Sequence, residues 1–170
     1  MKEEIFITLG CGDSFDLEKF RPVENSPYFC KPHGGLWSSP EDSEWGWKQW
    51  VESEMPEWME KRYGLSQFRF RIKSGSKIYQ IDSVIDLIEV PHKIKTYGQP
   101  SCFGDLIDFE QMATEYDGIL LTERGQAETR WSDWEFGMSL YGWDCESLLV
   151  LRPDCIEELH ETSSSFLTIE

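Results

Sequence analysis

Lys31-Pro32-His33-Gly34-Gly35-Leu36-Trp37-Ser38-Ser39-Pro40 is the stretch whose reading decides the fold. Pro32 fixes φ and sets a turn. Paired glycines at Gly34 and Gly35 let the backbone pass close to another group, in conformations a side chain forbids. Leu36 and Trp37 read as a short buried strand, which Ser38 and Ser39 end and Pro40 stops. Glu41-Asp42-Ser43 then opens an acidic helix start. A bend, a strand, a serine pair and a helix make a ligand wall. They make an ordinary strand-to-helix connection equally well.

Downstream, residues 42–63 carry helical spacing. Trp47, Trp50, Val51, Met55, Trp58 and Met59 recur three or four apart. Pro56 splits this run into two helices, and Gly64 ends the second. A tryptophan stripe at this period reads as core. Upstream, residues 4–9 form a first strand stopped by Gly10 and Gly12. The long connection that follows, 11–31, is packed by Phe15, Phe20, Tyr28 and Phe29.

Residues 67–73 alternate Phe68, Phe70 and Ile72 against Arg69, Arg71 and Lys73, the pattern of a half-buried strand. Ser74-Gly75-Ser76 turns the chain into residues 77–81, and the two strands read as a hairpin. Its basic face suits a phosphate-bearing ligand or simply offsets neighbouring acids. Asp82-Ser83 caps a helix over 84–89. Residues 108–116 form a helix with Phe109, Met112 and Ala113 inward, followed by a buried strand over 119–122. Trp131, Trp134 and Met138 share one helical face. Residues 147–151 are the most strand-like run, and 154–160 read as a short helix. Short strands with interspersed short helices predict an α+β fold: a single domain over 1–160 with two small, mostly antiparallel sheets, and a polar tail over 161–170.

The chain has 170 residues, 39% hydrophobic and 14% aromatic, with eight Trp and ten Phe, enough to build a core. Thirty-two acidic against sixteen basic residues give a formal charge of -16. Such a surface repels nucleic acid and anionic membranes, and it serves solubility or suits a basic protein partner. The five cysteines, Cys11, Cys30, Cys102, Cys145 and Cys155, form no C-x-x-C, which disfavours a disulfide framework or zinc site and fits a reducing compartment. No signal-peptide pattern opens the chain, and no apolar run reaches the ~18 residues of a membrane span. A cytoplasmic protein is expected.

The common nucleotide cradles, H-E-x-x-H and G-x-S-x-G are all absent. His33, His92 and His160 lack metal-ligand spacing, so no metal is expected. What remains is Glu146, where a polar turn meets a buried run. Asp144 lies two residues earlier, on the same face if both are on a strand. A carboxylate there stabilises a cationic, sugar-like transition state or is simply a solvated strand-start acid.

Taken together, these pieces resemble the ADP-ribosyltransferase-like fold, in a divergent bacterial or phage form. Residues 31–40 are similar to that family's second element. Ile107-Asp108-Phe109-Glu110 through Tyr116-Asp117-Gly118-Ile119 are similar to a helix-plus-strand unit of bacterial members. Trp143-Asp144-Cys145-Glu146-Ser147 is similar to the late segment bearing the catalytic carboxylate.

The resemblance implies NAD as substrate, lying in a cleft between two small sheets, with ADP-ribose passed to a macromolecule or small molecule, or to water. Gly35 with its neighbours His33, Gly34 and Leu36 would contact the nicotinamide amide. Trp37 would form the wall, Ser38 or Ser39 would support the carboxylate, and Glu146 would hydrogen-bond the ribose. One departure stands out: Leu9 occupies the place where the family carries His or Arg. His33, or Arg69 or Arg71 from the basic face, would have to compensate. Two other expectations stand beside the enzyme: an acidic inhibitor masking a basic surface, and a catalytically dead nucleotide binder.

Overall fold

The computed structural model describes residues 4–27, 29–59, 66–93 and 105–159. Its strands are β1 (Phe6–Ile7), β2 (Leu36–Pro40), β3 (Arg69–Ile72), β4 (Ile78–Ile81), β5 (His92–Lys93), β6 (Leu106–Ile107), β7 (Gly118–Leu121), β8 (Ser147–Val150) and β9 (Ile156–Leu159). The helices are α1 (Trp47–Glu54), α2 (Pro56–Trp58), α3 (Val84–Glu89), α4 (Phe109–Glu115), α5 (Glu123–Thr129) and α6 (Asp133–Phe136). The fold is α+β.

Seven strands form one mixed sheet in the order β4-β7-β8-β2-β1-β3-β9, and β5 pairs with β6 separately. The β4–β7 pair is parallel, and the other described pairs are antiparallel. β2 changes partner halfway: Leu36, Trp37 and Ser38 oppose β8, whereas Ser39 and Pro40 oppose β1. The sheet therefore has two halves hinged on the serine pair.

Those halves curl towards each other. Five places separate β4 from β3, which in a flat sheet would hold them about 24 Å apart at ~4.8 Å per strand. Yet Ile72 of β3 and Ile78 of β4 pack on the same core with Phe6, Phe70, Leu120 and Leu148. Phe15 and Phe20, from the long connection after β1, pack on the same core. Phe29 from that connection is exposed instead, and Tyr28 lies outside the described residues. A larger core fills the convex side, where Leu87 of α3 and Phe109 and Met112 of α4 meet Ile81, Ile119, Leu121 and Leu149 of the sheet.

Local signals account for most elements. Pro56 stands at the first position of α2, where its missing N–H costs nothing, and so separates α2 from α1. Gly64, the expected end of that run, is outside the described residues. Ser83 caps α3 by accepting from the Asp86 amide, and Asp108 caps α4 by accepting from the Gln111 amide. Of the α1 stripe only Val51 is fully buried, and the tryptophans are half-buried.

Four expectations are corrected. β3 and β4 flank the Ser74-Gly75-Ser76 turn but do not pair: the Lys73 amide continues the β9 ladder by donating to Cys155, while the Asp117 amide donates to Lys77 beside β7. Residues 156–159 are a strand, not a helix, because they answer β3, with Glu157 directly opposite Arg71. Trp131, Trp134 and Met138 do not share a helix face. Gly137, at φ +76°, ends α6 before Met138, and Trp131 precedes it in an exposed turn. The first strand is shorter than residues 4–9, although the Thr8 and Gly10 amides still donate to Phe68 and Ser66.

Candidate functional site

Three segments that the sequence singled out meet beside β2: residues 31–40, the start of α1, and the turn before β8. Ser39 ties them together. Its hydroxyl donates to the Glu146 carbonyl at 2.8 Å and accepts from the Trp47 amide at 2.8 Å. The Glu146 amide donates to the Trp45 carbonyl, and the Trp45 indole donates to the Asp144 carbonyl. Ser38 donates to the Leu148 carbonyl, so both serines serve the β2–β8 ladder. Ser39 thus fixes the backbone of Glu146, not its carboxylate.

The glycine pair has a local cause. Gly34 and Gly35 hold φ of +72° and +67°. A Cβ on Gly34 would strike the Pro22 carbonyl, and one on Gly35 would lie 2.6 Å from a Leu149 methyl. The close approach is to the protein's own chain. His33 is exposed and bridges Glu24 through backbone hydrogen bonds. Trp37 points to the convex side and meets Trp143 edge-on, centroids 4.6 Å apart. Trp143 in turn stacks on Phe109 and donates its indole N–H to Cys30.

The sequence-predicted residues therefore do not converge on one pocket. Gly35 and Leu36 line a cavity of about 420 Å³ with Gly10, Phe15, Phe20 and Phe68. Arg71 lines another, of about 480 Å³, with Glu4, Phe6, Ile78 and Gln80. Glu146 sits five to six residues along the β2–β8 ladder from the glycine pair, roughly 17–20 Å at strand spacing. Leu9 is a buried core residue.

Asp144 does not share a strand face with Glu146, because β8 has not yet begun there. Its carboxylate pairs with Arg130 at 3.1 Å. Sequence reasoning missed Lys31 altogether. The Lys31 ammonium lies 5.4 Å from the Trp37 ring centroid and 5.8 Å from that of Trp47. Burial pushes its pKa down, while Asp144 and Cys145 pull the other way. The available signal was a lysine beside proline in a tryptophan-rich run.

A second electrostatic feature lies at the concave end of the sheet. The Glu4 carboxyl is held above the ordinary value of 4.5, first by burial and then by the charges of Glu146 and Asp42. Glu4 precedes β1, Asp42 follows β2 and Glu146 precedes β8, so three distant segments bring like charges together. Cations elsewhere are engaged internally: Arg69 grips Glu41 with two 2.7 Å contacts, Arg124 bridges Asp82 and Glu128, and Arg152 holds Asp117.

Among the described residues no group of His, Cys, Asp and Glu side chains is arranged to hold a metal ion, and no helix is long and apolar enough to cross a membrane. Compared with known protein families, curated proteins and solved structures, the chain matches none.

Proposed function

We propose that this chain is a non-enzymatic binding protein that presents acidic surface to a basic partner. The observation that carries the reading is that three distant segments bring Glu4, Asp42 and Glu146 together, so that the charges of Glu146 and Asp42 add to burial in raising the Glu4 pKa. Like charges gathered in one place repel one another, and a docked cation relieves that repulsion. The formal charge of -16 and the internal pairing of several cations support the same reading.

The test is calorimetric titration of the whole chain with octa-arginine near pH 5, in two buffers of different ionisation enthalpy. A cation docking at the trio lowers the Glu4 pKa, so binding releases protons. The release disappears in Glu4→Gln, and affinity falls steeply with salt. Binding without proton release, or indifferent to salt, overturns the reading.

A second reading is an NAD-dependent ADP-ribosyltransferase-like protein. The bond from Ser39 to the Glu146 carbonyl favours it, since it fixes the backbone that presents this strand-start acid beside a serine pair. So does the sheet whose halves hinge on β2. In that reading Glu146 stabilises positive charge on the ribose as the glycosidic bond breaks. NAD calorimetry with nicotinamide release, wild type against Glu146→Gln, tests it. Absent NAD binding, or equal turnover by the variant, removes it.

A further inference from the structure

Trp131 and Tyr141 form an exposed aromatic pair outside both cores. Their ring centroids are 4.8 Å apart, and Trp131 is 63% exposed. An exposed Trp and Tyr side by side offer the residue types that dominate binding hot spots. The surrounding chain is acidic: between residues 128 and 144 there are four carboxylates, Glu128, Asp133, Glu135 and Asp144, against one cation, Arg130, and Glu128 and Asp144 are paired with Arg124 and Arg130.

That one cation displays the recognition chemistry. The Arg130 guanidinium stands 5.8 Å from the Trp131 ring centroid while its Nη2 lies 3.1 Å from the Asp144 carboxylate. A cation over the indole, answered by a carboxylate beside it, is an arrangement the surface already makes once. The turn carrying Tyr141 runs directly into Glu146, so the patch and the acidic trio border the same segment.

We infer that the Trp131–Tyr141 pair is the docking surface for an arginine-bearing segment of the basic partner. The inference rests on the binding reading given above and deepens it. A second copy of this chain is the wrong occupant, because the same excess of carboxylates would face itself. An anionic lipid surface is repelled for the same reason. Arginine fits better than lysine, since its planar guanidinium stacks on an aromatic face while keeping N–H groups for carboxylates.

Fluorescence polarisation of labelled octa-arginine and octa-lysine, titrated with the whole chain at low salt, tests this. Wild type should prefer octa-arginine. In Trp131→Ala that affinity should fall about fivefold and the arginine-over-lysine preference should vanish. Leu17→Ala, an equally exposed side chain from the connection after β1, should change neither. Circular dichroism checks that both variants fold. If wild type binds neither peptide, the binding reading and this inference fall together. If it binds and Trp131→Ala keeps both affinity and preference, only the docking surface is overturned.

Discussion

Ser39 and Glu146, which are 107 positions apart in the chain, are joined by one hydroxyl that donates to the Glu146 carbonyl and accepts from the Trp47 amide. Ser39 is 1% exposed, so water cannot replace either bond. Ser39→Ala leaves a buried amide and a carbonyl short of a partner. The expected loss is about 1–3 kcal/mol, measured as a lower midpoint in urea with an unchanged slope. Ser38→Ala removes only one bond, to a carbonyl already in the ladder, and should cost less.

The glycines give a graded series. Gly34→Ala drives a Cβ into the Pro22 carbonyl and should be the most damaging. Gly35→Ala meets a Leu149 methyl, which can yield, and the Val150 carbonyl at 3.0 Å, which cannot. Gly75 holds φ +87° with open space around it, so Gly75→Ala should carry backbone strain alone, about 1–2 kcal/mol. Thermal melts ordered Gly75→Ala, Gly35→Ala, Gly34→Ala from mildest to worst are expected. Any other order argues against close backbone approach at residues 34 and 35.

Glu4 and Lys31 predict opposite pH responses. The folded pKa of Glu4 is raised, so the folded protein binds more protons than the unfolded chain just above pH 4.5, and stability falls as pH rises through that window. Glu4→Gln should therefore melt higher than wild type at pH 7, with the gap closing in acid. The folded pKa of Lys31 is lowered, so the folded protein binds fewer protons and stability rises with pH towards the ordinary lysine value of 10.5. Melts of Lys31→Met against wild type should converge as pH approaches that value.

Thiol accessibility provides a further check. Cys11 is exposed, whereas Cys30, Cys145 and Cys155 are buried. Burial, with Asp117 nearby, pushes the Cys155 thiol to about 11, which keeps it protonated at neutral pH. Among these four, Cys11 should take up iodoacetamide first under native conditions, with the others waiting for denaturant. Early labelling of Cys155 in the peptide map would contradict its placement between β8 and β9.

Much of this architecture is written in local signals. Pro56 splits α1 from α2, Ser83 caps α3, and Ser147–Val150 reads as a strand because each has a short-range cause. What escaped depends on distant partners. Residues 156–159 have apolar groups three apart, which suits a helix. The arginines of β3 make them a strand, and those lie 86 positions away at Arg71 and Glu157. The hairpin expected across Ser74-Gly75-Ser76 failed because the two strands belong to opposite halves of a curled sheet. The glycine pair was rightly read as a close approach, but its counterpart is the chain itself. For Lys31 the sequence offers only a lysine beside proline in a tryptophan-rich run, because its partners Trp47 and Asp144 are set by the fold.

The five residues from Lys73 to Lys77 bridge β4, at one edge of the curled sheet, and β3, next to the β9 edge at the other, without contributing a rung between them. They act as a clasp. A single proteolytic cut at Gly75 would leave the described ladders intact, and the two margins would then be held together by the packing of Ile72 and Ile78 on their shared core. The molecule's tightness therefore rests on covalent continuity at one exposed glycine as well as on its packing.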